Sequence, residues 1–254
     1  MAPKPLKNKP LVEAILEVKW QLPNLPTAPQ IDPHYRLFVG RFYDRVREEY
    51  PVYEALPSAG IPDEMAAYIA QYRFRLKENG WPLIQIGPGM LTLNDTDSYI
   101  WPDFEKRASW VLERLFASYP GKLQISSLVL RYIDAVHQDF SKQDVTDFLR
   151  DKLKITIGYP NSLFEGELVE PAPTALVLQS AFRSKTPKGT VKLKFARGKV
   201  RGNPALIWET SISSSGPDLP PLPDHFAAWL SGAHQITDDW FFKLIDGELL
   251  RRFE

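Results

Sequence analysis

One order of patterns runs twice along this chain of 254 residues. Each half carries an alternating segment, an amphipathic segment at helical spacing, three short alternating segments and a second amphipathic one. Side chains alternate faces along a strand and return to one face every three to four residues on a helix, so the two periods separate the element types. In 11–20, Val12, Ala14, Leu16, Val18 and Trp20 share one face, and Glu13, Glu17 and Lys19 share the other with Leu11 and Ile15. Asp32-Pro33 then opens a helix over 33–49, because Asp accepts unpaired N–H groups and Pro at the first helical position loses none. Tyr35, Phe38, Phe42 and Val46 are its apolar stripe. Strands at 72–76, 83–86 and 90–93 follow, with Asn79-Gly80 and Gly87-Pro88-Gly89 as turns. Trp101-Pro102-Asp103 opens the next helix, and Tyr119-Pro120-Gly121 stops it.

The second half begins with a long strand over 123–136. Ser141 and Asp144 read as a capping box for a helix bearing Val145, Phe148, Leu149 and Leu153. Three strands are expected at 174–182, 190–195 and 205–211, with Lys188-Gly189-Thr190 as a turn. Asp224 is the expected cap of a terminal helix with Phe226, Trp229, Leu230, Ala233, Trp240 and Phe241 on one side, kinked at Gly232. Short links favour antiparallel pairing, and the βαβ rhythm of a doubly wound fold is missing. The expected fold is α+β: a large curved antiparallel sheet with helices packed on one face, built from two β-α-β-β-β-α pseudo-repeats. The halves are 11–121 and 122–254, within one compact unit spanning 1–254.

Composition removes several chemistries. With no cysteine, the chain has no disulfide, thiolate nucleophile, zinc–thiolate site or iron–sulfur cluster. The histidines are His34, His137, His225 and His234; at about 100° per residue, His225 and His234 fall on opposite sides of one helix, so they are no zinc pair. There is no phosphate-loop motif, and Pro88 takes an N–H away from the Gly87–Gly89 turn. Asp95 and Asp97 read as loop caps. Glu13 and Glu17 lie about 13 Å apart by strand rise, too wide for a glycosidase pair. Arg131 or Asp134 is their expected cross-strand neighbour. No catalytic residue, metal ligand or cofactor is assigned, and the balance leans away from an enzyme.

The strongest local anomaly is electrostatic. Lys+Arg and Asp+Glu both number 31, yet 183–201 holds eight basic residues and no acid. Lys192 and Lys194 point away from Val191, Leu193 and Phe195, which makes a cationic stripe. Arg73, Arg75 and Lys77 make a second. The candidate binding residues are therefore Arg73, Arg75, Lys77, Arg183, Lys192, Lys194, Arg197, Lys199 and Arg201. Three readings stand open: a solvated edge hairpin protected from aggregation, a dock for an acidic protein, and a track for a nucleic-acid backbone. Trp81 and Trp101, beside turns, are candidate interface anchors.

Asn8-Lys9-Pro10-Leu11-Val12-Glu13-Ala14, the segment Trp81-Pro82-Leu83-Ile84-Gln85-Ile86-Gly87-Pro88-Gly89, and Leu130-Arg131-Tyr132-Ile133-Asp134 carry a resemblance, together with a terminal helix holding His234 near Ile236-Thr237. The chain resembles, over its whole length, a sporadically distributed family of uncharacterised prokaryotic proteins of about this size. The resemblance implies accessory genes such as defence or toxin–antitoxin loci, and it transfers no site. The expected function is a partner-binding or regulatory module acting on a protein partner or as a homo-oligomer. The alternatives are nucleic-acid binding through the 183–201 hairpin, and a small-ligand binder or enzyme with a cavity between sheet and helices. No apolar run is long enough for a membrane helix, so a cytoplasmic protein is expected.

Overall fold

The computed structural model describes residues 6–23, 30–96, 99–141, 143–166 and 168–254. Strand β1 (Leu11–Trp20) leads into helix α1 (Tyr35–Val46), then β2 (Val52–Ala55), β3 (Tyr72–Arg75), β4 (Leu83–Gly87), β5 (Met90–Asp95) and α2 (Trp101–Ser118). The second half is β6 (Ile125–His137), α3 (Val145–Leu153), β7 (Val177–Lys185), β8 (Lys188–Val200), β9 (Asn203–Ser215), α4 (Phe226–Ile245) and α5 (Glu248–Phe253). The nine strands form one antiparallel, curved, unclosed sheet in the order β2-β3-β4-β5-β1-β6-β9-β8-β7. The fold is α+β.

The first strands of the two halves meet at the middle of the sheet. β1 runs antiparallel to β6, with Leu16 opposite Leu130 near the centre of their pairing. Each is flanked by the last strand of its own half, β5 beside β1 and β9 beside β6. Residues directly opposite share a face. One row reads Phe74, Ile84, Leu93, Leu16, Leu130, Ile212 and Val191 from β3 to β8. A neighbouring row reads Glu54, Arg73, Gln85, Thr92, Glu17, Val129, Ser213 and Thr190 from β2 to β8. The first row is buried under the helices, and the second lies on the face without helices.

Two apolar clusters fill the helix-covered side. The larger sets Trp20, Phe38, Phe42 and Trp229 against the central strands; the smaller sets Phe148, Phe195, Trp208 and Phe253 against the β6–β9–β8 end. Each fully buried ring contributes roughly 1.5–3 kcal/mol relative to exposure. Trp20 Nε1 donates to Asp32 at 3.0 Å, and the Tyr119 hydroxyl donates to the same carboxylate at 2.8 Å.

Several local expectations change. The four-residue strand β2 was not expected; its pattern is too short to stand out after Tyr50-Pro51. Strand β7 is shifted three residues along from its expected place, β8 and β9 run longer than expected, and Lys188, Gly189 and Thr190 lie inside β8 rather than in a turn. The β8–β9 turn is Arg201-Gly202, both with positive φ. Asp144 is itself the cap of α3, accepting from the Thr146 N–H, whereas Ser141 bonds Asp139; the capping-box expectation fails because the helix starts at Val145. The residue preceding α4 is His225 rather than Asp224, and its side chain makes no cap hydrogen bond. The helix runs unbroken through Gly232, where a Cβ would meet Pro187 Cδ at 3.1 Å. Gly87 is needed for a close approach: a Cβ there would stand 1.9 Å from the Ile69 carbonyl oxygen. Among the described residues no helix is long and apolar enough to cross a membrane.

Candidate ligand cavity

A cavity of about 520 Å³ opens where the two apolar clusters meet. Its floor is the helix-covered face of β6 and β9. Tyr132 lies opposite Thr210 there, and Asp134, next on the same face, lies opposite Trp208. On the β1 side Tyr132 faces only Ala14, and the register shifts between Leu11 and Glu13. A small residue and an irregular strand start leave room that a regular, large-residue pairing would fill. One wall is the start of α2, with Trp101 and Pro102. The roof is one face of α4, where His234, Thr237, Asp238 and Phe241 recur at helical spacing. The N-terminal segment closes a side with Leu6, Lys9 and Pro10.

The polar groups of the cavity fall into two sets. The first is a connected chain: the Tyr99 and Tyr132 hydroxyls are 2.7 Å apart, and Tyr132 Oη is 3.0 Å from His234 Nδ1. His234 stacks on Trp101 with ring centroids 3.6 Å apart and planes 11° apart. Burial holds this imidazole neutral, its pKa pushed down to about 4. Burial raises both tyrosines. The second set lies outside this connected chain. Thr210 Oγ1 is buried and has no hydrogen-bond partner among the described residues. Asp134 is 4% exposed, and desolvation alone raises its pKa to about 8, so the acid is mainly protonated at neutral pH. Burial, and then Asp239, also raise Asp238 on the roof. Buried polar atoms without partners cost about 1–3 kcal/mol each, and their place in a native structure calls for an explanation.

The sequence named Asp134 and His234 without assigning them to a site. Asp134 was expected beside Glu13 and Glu17, but it lies on the opposite face. Arg131 pairs instead with Glu209 at 3.3 Å, Glu17 with Lys19 at 2.9 Å, and Glu13 accepts from Asn94 Nδ2 at 2.7 Å. The available signal was parity: Asp134 shares its strand face with Leu128, Leu130 and Tyr132. A carboxyl on an apolar strand face is the mark of a lined cavity or a buried pair.

The basic candidates are spread over the molecule. Arg73 and Arg75 on β3 share Glu54 Oε2 at 3.3 and 3.1 Å, and Lys77 lies beyond the strand, packed over Gly80. Arg183 on β7 is held by Asp218 at 2.7 Å. Lys192 and Lys194 lie on the face without helices, where Lys194 stands opposite Glu209. Arg197 and Lys199 fall on the other face; the Arg197 guanidinium lies 5.5 Å from the Phe140 ring centre and donates to the Pro173 carbonyl. Arg201 occupies the β8–β9 turn. Strands β4, β5, β1, β6 and β9 separate the two stripes, so they do not join. Trp81 packs beside Arg75, and Trp101 belongs to the cavity. Asp97 lies outside the described residues. Among those described, no group of three or more histidines and carboxylates could hold a metal ion.

No protein-family model and no curated sequence matches the chain.

Proposed function

We propose that this chain binds a small organic molecule in the cavity between β6, β9, α2 and α4. One observation carries the reading: on the floor of a cavity otherwise lined mainly by aromatic and aliphatic side chains, Thr210 Oγ1 is buried with no hydrogen-bond partner among the described residues, beside the nearly buried carboxyl of Asp134. Ligand sites of about 300–1,000 Å³ are built this way, with an apolar lining and a few convergent polar groups. A ligand that offers hydrogen bonds to both residues removes the cost of leaving Thr210 Oγ1 unpaired. Such a binder, in the cytoplasm, is compatible with an accessory-gene setting of the kind the sequence resemblance implies.

Fragment binding followed by Trp101 fluorescence and by ligand-observed NMR tests the reading. Apolar fragments with one hydrogen-bonding head are expected to bind the natural chain. They are expected to be lost from Thr237→Trp, whose indole fills the space. Equal binding to both proteins, or none to either, would remove the cavity as the site.

A second reading, a module that binds a protein partner, is favoured by the sheet edge. β7 ends the sheet, and its Val177 and Phe182 are 72% and 49% exposed. Sedimentation of the natural chain and of Val177→Lys at rising concentration tests it: self-association removed by the lysine supports the edge as an interface.

A further inference from the structure

Resting on the ligand-binding reading, we infer that the cavity takes an organic cation: an ammonium group, protonated or quaternary, on an apolar body, seated between aromatic rings and the Asp134 carboxyl. The groups there that can carry charge set the sign of the ligand. From β6 comes Asp134, and from α4 come Asp238 and the neutral His234. Tyr99 and Tyr132 are protonated hydroxyls. Among the described residues the one basic side chain of the lining is Lys9, which is exposed and donates from Nζ to the Tyr99 carbonyl oxygen at 2.8 Å. No arginine is among the described residues that line the cavity. Acids therefore outnumber bases two to one in the described lining, and a buried anion would meet two carboxyls.

The start of α2 does not change this sign. Pro102 removes one of the free N–H groups of the first turn, and Asp103 places a carboxylate beside the others. The rings point the same way. Tyr99, Trp101, Tyr132, Phe241 and Phe242 all line the space, and the negative face of an aromatic ring attracts a cation most strongly when water is excluded.

Binding would also answer the state of Asp134. Its carboxyl is protonated because burial disfavours the anion and no cation among the described residues offsets that burial. A ligand ammonium supplies that cation. The carboxyl then ionises against it and its proton passes to solvent, so one bound cation is exchanged for close to one released proton at pH 7. Thr210 Oγ1 accepts an N–H from a protonated amine but gains no such bond from a quaternary one. The two kinds of cation are therefore separable.

Isothermal titration at pH 7 with benzylamine, benzyltrimethylammonium, benzyl alcohol and benzoate tests the inference. Running it in phosphate and in Tris counts the protons released. Both cations are expected to bind at least tenfold tighter than benzyl alcohol, with close to one proton released, and benzoate is expected not to bind. Asp134→Asn, close to isosteric, is expected to abolish the release and the preference while benzyl alcohol still binds. Thr210→Val is expected to weaken benzylamine severalfold and leave benzyltrimethylammonium unchanged. Asp238→Asn at the roof serves as a second charge variant, expected to weaken both cations severalfold without changing benzyl alcohol. Benzyl alcohol binding as tightly as the cations would overturn the cation assignment and leave the cavity as a ligand site. Absence of binding by all four would overturn both.

Discussion

The imidazole of His234 lies flat against the indole of Trp101, 3.6 Å between ring centres, with its Nδ1 3.0 Å from the Tyr132 hydroxyl. This contact joins α4 to the start of α2. Because burial holds the imidazole pKa down to about 4, well below its ordinary 6.5, NMR titration is expected to show one histidine still neutral at pH 5. As pH falls from about 6.5 to about 4 the unfolded chain takes up the proton first, so this group removes stability at up to about 1.4 kcal/mol per pH unit. Trp101→Ala opens the ring to water and is expected to move the titration back toward 6.5.

Asp134 has the opposite sign. Its pKa is raised to about 8 in the folded chain against 3.8 ordinarily, so the folded state holds the proton that the unfolded state has lost. Stability contributed by this group is full below about pH 4 and declines through about pH 8, again by up to about 1.4 kcal/mol per unit. Between about 4 and 6.5 the two slopes oppose each other; above 6.5 only that of Asp134 remains. Denaturant unfolding of the natural chain and of Asp134→Asn at pH 5, 6, 7 and 8 is expected to show the variant gaining relative stability with each step upward.

Tyr132 bridges Tyr99 and His234. Tyr132→Phe leaves both neighbours without their buried partner and is expected to cost about 1–3 kcal/mol. Adding Tyr99→Phe removes one of the orphans, so the double variant is expected to lose less than the sum of the two single ones, as a double-mutant cycle would read.

The separation of the cationic stripes bears on nucleic acid. Lys192 and Lys194 share one face, while Arg197 and Lys199 lie on the other. Two phosphate contacts at about −0.9 each give a slope of about −1.8 for log affinity against log salt, whereas five would give about −4.5. Anisotropy of a labelled duplex across a salt series is expected to give the shallower value. Lys192→Glu with Lys194→Glu is expected to remove it without altering fragment binding in the cavity.

Much of the architecture was legible because period and punctuation agree along the chain. Ala14, Leu16, Val18 and Trp20 announce a half-buried strand, and Pro88-Gly89 supplies the tight reversal between β4 and β5, with Gly89 at φ 78°. The short strand β2 has no such statistics behind it; it exists because Glu54 and Tyr53 find Arg73 and Phe74 across the ladder. The cavity was hidden for a related reason. Parity places Asp134 on an apolar face, but nothing local says that Ala14 and the irregular start of β1 leave the volume beside it unfilled. The opposed carboxylates and arginines were visible as types, yet their pairing follows from a register that only the assembled sheet sets.

The Leu16–Leu130 pair near the midpoint of the sheet makes the far end of β1 and the far end of β6 counterparts. Trp20 stands at the first, wholly enclosed and tied to Asp32; Asp134 stands at the second, equally far from its leucine, beside empty volume. Of these two positions in the central strand pair, one is thus plugged with an indole and the other is left hollow. A change in the lining at the hollow end therefore leaves the packing around Trp20 at the other end untouched.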